Sequence, residues 1–274
     1  MRRRCSGKRY ISAALAMKDD IVIVGAGNMA TALAVALEKA GRAPVAVWSR
    51  TQQSAQMLAD RVGADWHCNI DALPQAGIVI ISVVDSALRE VAAKVSAHFP
   101  DAVILHTAGS IPMDVLHEAG AARYGVLYPM QTVNKSNVVP LDDVTVFVEG
   151  CDAAVTQAVE ALARTISNKV VYATSRQRTV LHVAAVFACN FPNAVYNMAA
   201  ELLESNGLPF DSMLPLIDEA ARKVHLMSPR EAQTGPARRG DRNVISSHKA
   251  MLNDELAAIY DQLSDYIIKR NNNL

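Results

Sequence analysis

Ile21-Val22-Ile23-Val24-Gly25-Ala26-Gly27-Asn28-Met29-Ala30 is the stretch whose reading decides the fold. Four apolar, mostly β-branched residues predict a buried strand. The next six spell G-x-G-x-x-A, and Thr31 to Ala40 then have helical composition. In a strand–turn–helix unit each small residue has a physical task. Gly25 makes the tight turn, Gly27 lets the backbone approach a pyrophosphate, and Ala30 lets the helix pack on the strand. Free amides and the positive dipole end at the helix start would hold the phosphates. The pattern alone is common, but here it lies directly between a strand and a helix, the context dinucleotide binding requires.

Outward from that turn the chain keeps alternating. Strands are predicted at Val45 to Ser49, Ala64 to Cys68, Ile78 to Val84, Val103 to His106, Gly125 to Thr132, Val144 to Val148 and Lys169 to Tyr172. Helical patterns over Gln52 to Arg61, Ala87 to His98 and Asp152 to Ser167 fall between them. Such alternation predicts an α/β fold, a Rossmann-type doubly wound and mostly parallel sheet. From about residue 176 the texture changes to long helical patterns: Arg178 to Ser205, Asp211 to Met227, Val244 to Met251 and Asp254 to Arg270. We therefore expect a dinucleotide-binding domain over 19–175 and an all-α domain over 176–274. The opening Arg-rich segment and Ile11 to Met17 only faintly resemble a targeting peptide. Residues 1–18 are left out of the fold, as an extension or as an upstream start with Met17 as the natural beginning.

With 274 residues, 51% hydrophobic and 20% charged, the chain can bury one large or two modest cores. Its formal net charge of zero argues against nucleic acid or an anionic membrane as main partner. Cys5, Cys68, Cys151 and Cys189 show neither C-x-x-C pairing nor metal-ligand spacing, which fits reduced thiols in a cytoplasmic protein without a metal site. No apolar run reaches the length that spans a bilayer.

The end of the second strand bears on cofactor choice. An NAD site usually places a carboxylate there to bond the ribose hydroxyls, whereas this chain has Ser49-Arg50-Thr51. A guanidinium and two hydroxyls suit the extra 2′-phosphate of NADP; a solvated arginine is the plain alternative. Val83, Val84 and Asp85, after the fourth strand, should lie over the cofactor, with Asp85 also capping the following helix. Polar exits from the fifth and sixth strands supply further wall: His106, Thr107 and Ser110 from one, Tyr128 and Gln131 from the other.

On the first long helix, otherwise almost wholly apolar and so expected to be buried, stand His182, Asn190, Asn193 and Asn197. At roughly 100° per residue these four fall within an arc of about 80°, with Pro192 expected to kink the helix among them. They either satisfy backbone groups in an interface or face a substrate. In the second case His182 is the candidate general acid beside Asn190, with His106 as competitor and Asn193 as a substrate contact. The glycine-rich loop Gln233 to Asp241 is either a mobile surface loop or one that closes over the site, followed by His248.

The Gly25–Ala30 fingerprint and Ser49-Arg50-Thr51 resemble the Rossmann domain of pyrroline-5-carboxylate reductases and the wider 6-phosphogluconate/β-hydroxyacid dehydrogenase group. More closely, the segments 106–110, 128–132 and 234–241, with His182 and Asn190, are similar to a bacterial family of NADP oxidoreductases. That family joins a Rossmann-like domain to a helical domain of unestablished function. The resemblance implies NADP as cofactor, a small-molecule substrate bound between the domains and a homodimer formed through the helical domain. It does not carry a reaction across. The dehydrogenases use a catalytic lysine where this chain offers His182, and the threonine-centred proline-biosynthetic site has no counterpart. The sequence thus predicts an NADP-dependent oxidoreductase acting on a small carbonyl or imine. The alternatives are a non-catalytic NADP sensor and an enzyme with a deazaflavin partner.

Overall fold

A computed structural model describes residues 20–271. The extension expected at 1–18 lies outside the described residues. The first half builds one eight-stranded sheet: β1 (Ile21–Val24), β2 (Ala46–Trp48), β3 (Asp65–His67), β4 (Ile78–Ile81), β5 (Val103–His106), β6 (Arg123–Pro129), β7 (Thr145–Gly150) and β8 (Lys169–Tyr172). Their order across the sheet is β3-β2-β1-β4-β5-β6-β7-β8. The strand order reverses at β1 and β4, so the carboxyl ends of these two strands open the crevice where ligands of doubly wound sheets bind. Every pairing is parallel except β6 with β7, which run antiparallel.

Strand alternation sends successive residues to opposite faces. Ile21, Ile23, Val47, Ile80 and Leu105 pack under α1 (Asn28–Lys39), α2 (Gln52–Val62) and α5 (Ala153–Ile166). Val22, Val24, Trp48, Val79 and Ile81 pack under α3 (Asp85–His98) and α4 (Asp114–Glu118). Both faces are covered, which is why the central strands are continuous apolar runs rather than alternating ones. A smaller cluster at the far edge, Val126, Tyr128, Phe147 and Ala173, takes Leu181 and Met113 against it.

Beyond the sheet come α6 (Ser175–Ala185), a π turn (Val186–Asn190), α7 (Phe191–Glu204), α8 (Leu214–Leu226), α9 (Pro229–Ala232), α10 (Pro236–Arg239), α11 (Arg242–Lys249) and α12 (Asp254–Asn271). Two compact units result, one running to Cys189 and the other from Asn190 onward. Within the second unit, α10 packs against α11 and α12, and α8 against α9.

Two expectations change here. The kink expected at Pro192 takes the form of the π turn just before it. Pro192 has no N–H to give the carbonyl of Ala188, and the widened turn accommodates that loss. The extra residue also rotates everything downstream, so the regular stripe from His182 to Asn197 does not persist. Nor is this long helix buried. Val180, Val183, Phe187, Phe191 and Val195 are all exposed. Because α6 and α7 run on without a break, Ser175–Glu204 is long and apolar enough, by length and composition, to cross a bilayer. In the sequence the interior polar residues His182, Asn190, Asn193 and Asn197 interrupt every apolar run here, so no such span stands out.

Leu105 is 1% exposed on the central strand β5. Leu105→Ala is expected to cost about 2–5 kcal/mol in denaturant-induced unfolding, with the larger values if the cavity stays open.

Candidate functional site

The turn after β1 is locked by sterics. Gly25 sits at φ +129°, its amide donates to the carbonyl of Trp48 at 2.8 Å, and a Cβ here would run into the Ser82 carbonyl. Only glycine fits a left-handed backbone pressed against another strand end. Gly27 differs: nothing lies within 4 Å of where its Cβ would be, so space remains open over the turn. It is the N-cap of α1, and no side chain caps that helix start. The hydroxyl of Thr31 turns back to the Gly27 carbonyl at 2.9 Å, leaving the first-turn amides facing outward. An open cradle with outward amides at a helix N-terminus is the arrangement that holds a pyrophosphate.

This turn forms one wall of a cavity of about 550 Å³, within the size range of ligand pockets. Of the predicted cofactor residues, Gly25, Ala26, Gly27, Asn28, Met29, Ser49, Arg50, Thr51, Val83, Val84 and Asp85 all line it, together with Trp48, Ser54 and Ser82. Ala30 does not; it is fully buried against the sheet, as the packing task of its position requires. Arg50 is exposed at the β2 end, and among the residues lining the cavity it is the one with a permanent positive charge.

Thr107, Ala108, Gly109, Tyr128, Gln131 and His182 line the cavity as well. The Tyr128 hydroxyl lies 3.1 Å from His182 Nδ1. Gly109 packs flat against both rings, since a Cβ there would come within 2.5 Å of His182 Nδ1 and 2.9 Å of Tyr128 Cζ. Burial pushes the Tyr128 phenol up from its ordinary pKa, with the Arg178 guanidinium a smaller opposing influence. Thr107 Oγ1 donates to Ser82 Oγ at 3.0 Å, tying the ends of β4 and β5 together.

Several predicted residues stand elsewhere. His106 is fully buried in β5 beneath the cavity, its Nδ1 accepting from the Ala108 amide at 3.1 Å. Burial, and then the nearby Arg178 charge, hold its pKa down at about 3, so it stays neutral and is no proton donor at neutral pH. Asp85 does not cap α3. Val84 holds the cap position without a side-chain bond, and Asp85 instead accepts from Ser110 Oγ at 2.9 Å. Ser110 is bonded to this wall residue but is not itself among the residues lining the cavity. Asn190 and Asn193 are exposed and lie in the second unit, while the cavity described here is wholly within the first.

The sequence reading missed one group. Arg178, 1% exposed, is the largest fully buried side chain among the described residues, and it pairs with Glu149 at 2.6 Å. A lone glutamate at the end of the apolar stretch 144–149 was the available signal, because a carboxylate facing a core needs a partner.

The first segment of the chain, 20–109, matches the family model "NADP oxidoreductase coenzyme F420-dependent", and 144–267 matches a domain of unknown function, DUF2520. Among solved structures, the "putative NADP oxidoreductase BF3122" of Bacteroides fragilis is 46% identical. The alignment covers 92% of this chain and 99% of that one, with a TM-score of 0.87. Protein TM1727 from Thermotoga maritima shares 21% identity over 92% of this chain and 99% of its own, with a TM-score of 0.76. An imine reductase from Myxococcus stipitatus in complex with NADP+ shares the fold at 16% identity, covering 93% of each chain, with a TM-score of 0.65. No curated protein matches the chain.

The two glycines separate fold from binding. Gly25→Ala is expected to lower the melting temperature by several degrees, since it strains the backbone and strikes a carbonyl. Gly27→Ala should melt with the parent yet bind NADPH at least about tenfold more weakly in a fluorescence titration. Equal NADPH affinity in Gly27→Ala and parent would contradict the phosphate cradle.

Proposed function

Because the chain belongs to the family of NADP oxidoreductases that includes the Bacteroides fragilis protein, we propose that it moves hydride between NADP and a small carbonyl or imine compound. The observation that carries this reading is the Tyr128–His182 pair, set in the cavity that begins at the glycine turn. When bound, NADPH supplies a hydride from its nicotinamide.

The protein's own part is binding, orientation and the proton. The Gly25–Ala30 turn takes the pyrophosphate, and Arg50 with Ser49 and Thr51 takes the 2′-phosphate, since no carboxylate stands at the end of β2 to repel it. Thr107 to Gly109 form the wall for the ring and Gln131 a polar contact at the mouth. The raised pKa of Tyr128 keeps its hydroxyl protonated, and donation to His182 Nδ1 leaves the ring proton on Nε2. In that tautomer the ring is neutral: its Nε2–H meets the oxygen or nitrogen on which negative charge develops, and as that proton passes over, Nδ1 takes the Tyr128 proton in exchange and solvent restores the phenol.

NADPH oxidation followed against a panel of cyclic imines, imines and keto acids tests the reading. Turnover of at least one class is expected, and His182→Ala should reduce kcat by about 10²–10⁴ while NADPH binds as before. Retention of most of kcat would remove His182 from the chemistry. Tight NADPH binding without turnover on any of them would favour a cofactor sensor. The match of residues 20–109 to a model described as coenzyme F420-dependent favours a second reading, hydride exchange between NADP and a deazaflavin, so a deazaflavin belongs in the panel.

We also propose that a second copy of the chain covers the exposed apolar residues Val180, Val183 and Phe187 of the first unit. Large apolar side chains exposed this close together in sequence on one helix are costly to leave in water. Light scattering should give about twice 29.5 kDa, and Val183→Lys/Phe187→Lys should shift it toward the monomer. A monomeric parent, or a parent that sediments with lipid vesicles, would contradict a dimer.

A further inference from the structure

We propose that Arg178 is a positioning residue: its buried guanidinium grips both ends of the Ala108–Ile111 turn and thereby fixes the nicotinamide end of the cavity against the His182 helix. Its Nε donates to the Ala108 carbonyl at 3.2 Å and its Nη2 to the Ile111 carbonyl at 2.6 Å. Its Nη1 donates to Glu149 Oε2 at 2.6 Å, anchoring the fork to β7. Glu149 is held in turn, since its Oε1 accepts from the Ser175 amide and its Oε2 from the Ser175 hydroxyl, each at 2.8 Å. Ser175 Oγ also accepts from the Met113 amide at 3.0 Å, closing the network at the far side of the same turn.

The middle of that turn is Gly109, which lies flat against His182 and Tyr128. Arg178 stands four residues before His182, one helical turn away on the same face of α6. One side chain therefore joins three elements distant in sequence, and the segment it holds touches the proposed proton donor. A guanidinium has the planar, multi-donor geometry to span two carbonyls and a carboxylate at once; an ammonium is a point charge that cannot hold all three directions. A purely structural ion pair has no need to terminate on the two carbonyls that bracket a cavity wall.

This inference rests on the placement of the nicotinamide beside Thr107–Gly109 given above. The test compares NADPH with 2′,5′-ADP, which carries only the adenine half of the cofactor, by calorimetric titration of the full chain. In Arg178→Met/Glu149→Gln, which removes both buried charges together, NADPH affinity should fall about tenfold while 2′,5′-ADP affinity stays within about twofold of the parent. Arg178→Lys, which keeps the charge but not the fork, should lie between. An arginine that serves stability alone would lower the melting temperature and move both ligands together, or neither. Either of those results in a folded variant overturns the inference, and Arg178→Lys decides by the same criterion if the double variant does not fold. A parent that binds NADPH no more tightly than 2′,5′-ADP would instead overturn the nicotinamide placement, and the inference with it. Failure of the variants against a normal parent overturns the clamp alone.

Discussion

Everything in the first unit is referred to one steric constraint, the contact of Gly25 with the Ser82 carbonyl. A backbone at φ +129° pressed against the end of β4 admits no side chain, so β1 must turn sharply at the point where the strand order of the sheet reverses. That turn aims the start of α1 into the crevice and leaves Gly27 with open space above it. The crevice, the cradle and the outward amides follow from this one close approach.

At the other end of the cavity the organising interaction is electrostatic. Removing an arginine and a glutamate from water costs several kcal/mol per ion, and a buried pair often stabilises no more than apolar residues of the same volume would. Here the carboxylate accepts three hydrogen bonds, from Arg178 and from the amide and hydroxyl of Ser175, and the other arginine bonds run to two carbonyls and the Ser175 hydroxyl. Such a network contributes definition more than stability: it gives the Ala108–Ile111 turn one position. The same charge acts on its neighbours, helping burial to keep His106 neutral and opposing the upward push on Tyr128.

The sheet was legible in the sequence because its code is local. Alternating strand and helix patterns and the glycine spacing around residue 25 can be read without knowing any partner. The reversal of β7 was not legible, since a strand buried on both faces has the same apolar composition whichever way it runs. The site divides along the same line. The candidate cofactor residues sit at strand ends, where their positions make them legible, and His182 stands out as a polar residue on an apolar helix. Sequence could prefer His182 but not dismiss His106, because what separates them is burial: one lies within the sheet, the other on the cavity wall. Arg178 and Glu149 are 29 residues apart, and no periodicity links them. Long-helix reasoning failed at Val186–Asn190, where a π turn breaks the 100° step on which the stripe depended.

The account places phosphate chemistry at Gly27 and proton chemistry at His182, at two ends of one cavity. A crystal structure of the protein with NADP+ bound tests that directly. The account predicts the pyrophosphate on the first-turn amides of α1, the 2′-phosphate at Arg50, and the nicotinamide ring between the Thr107–Gly109 turn and His182. An adenine ring at the His182 end, or a nicotinamide directed away from it, would contradict the account.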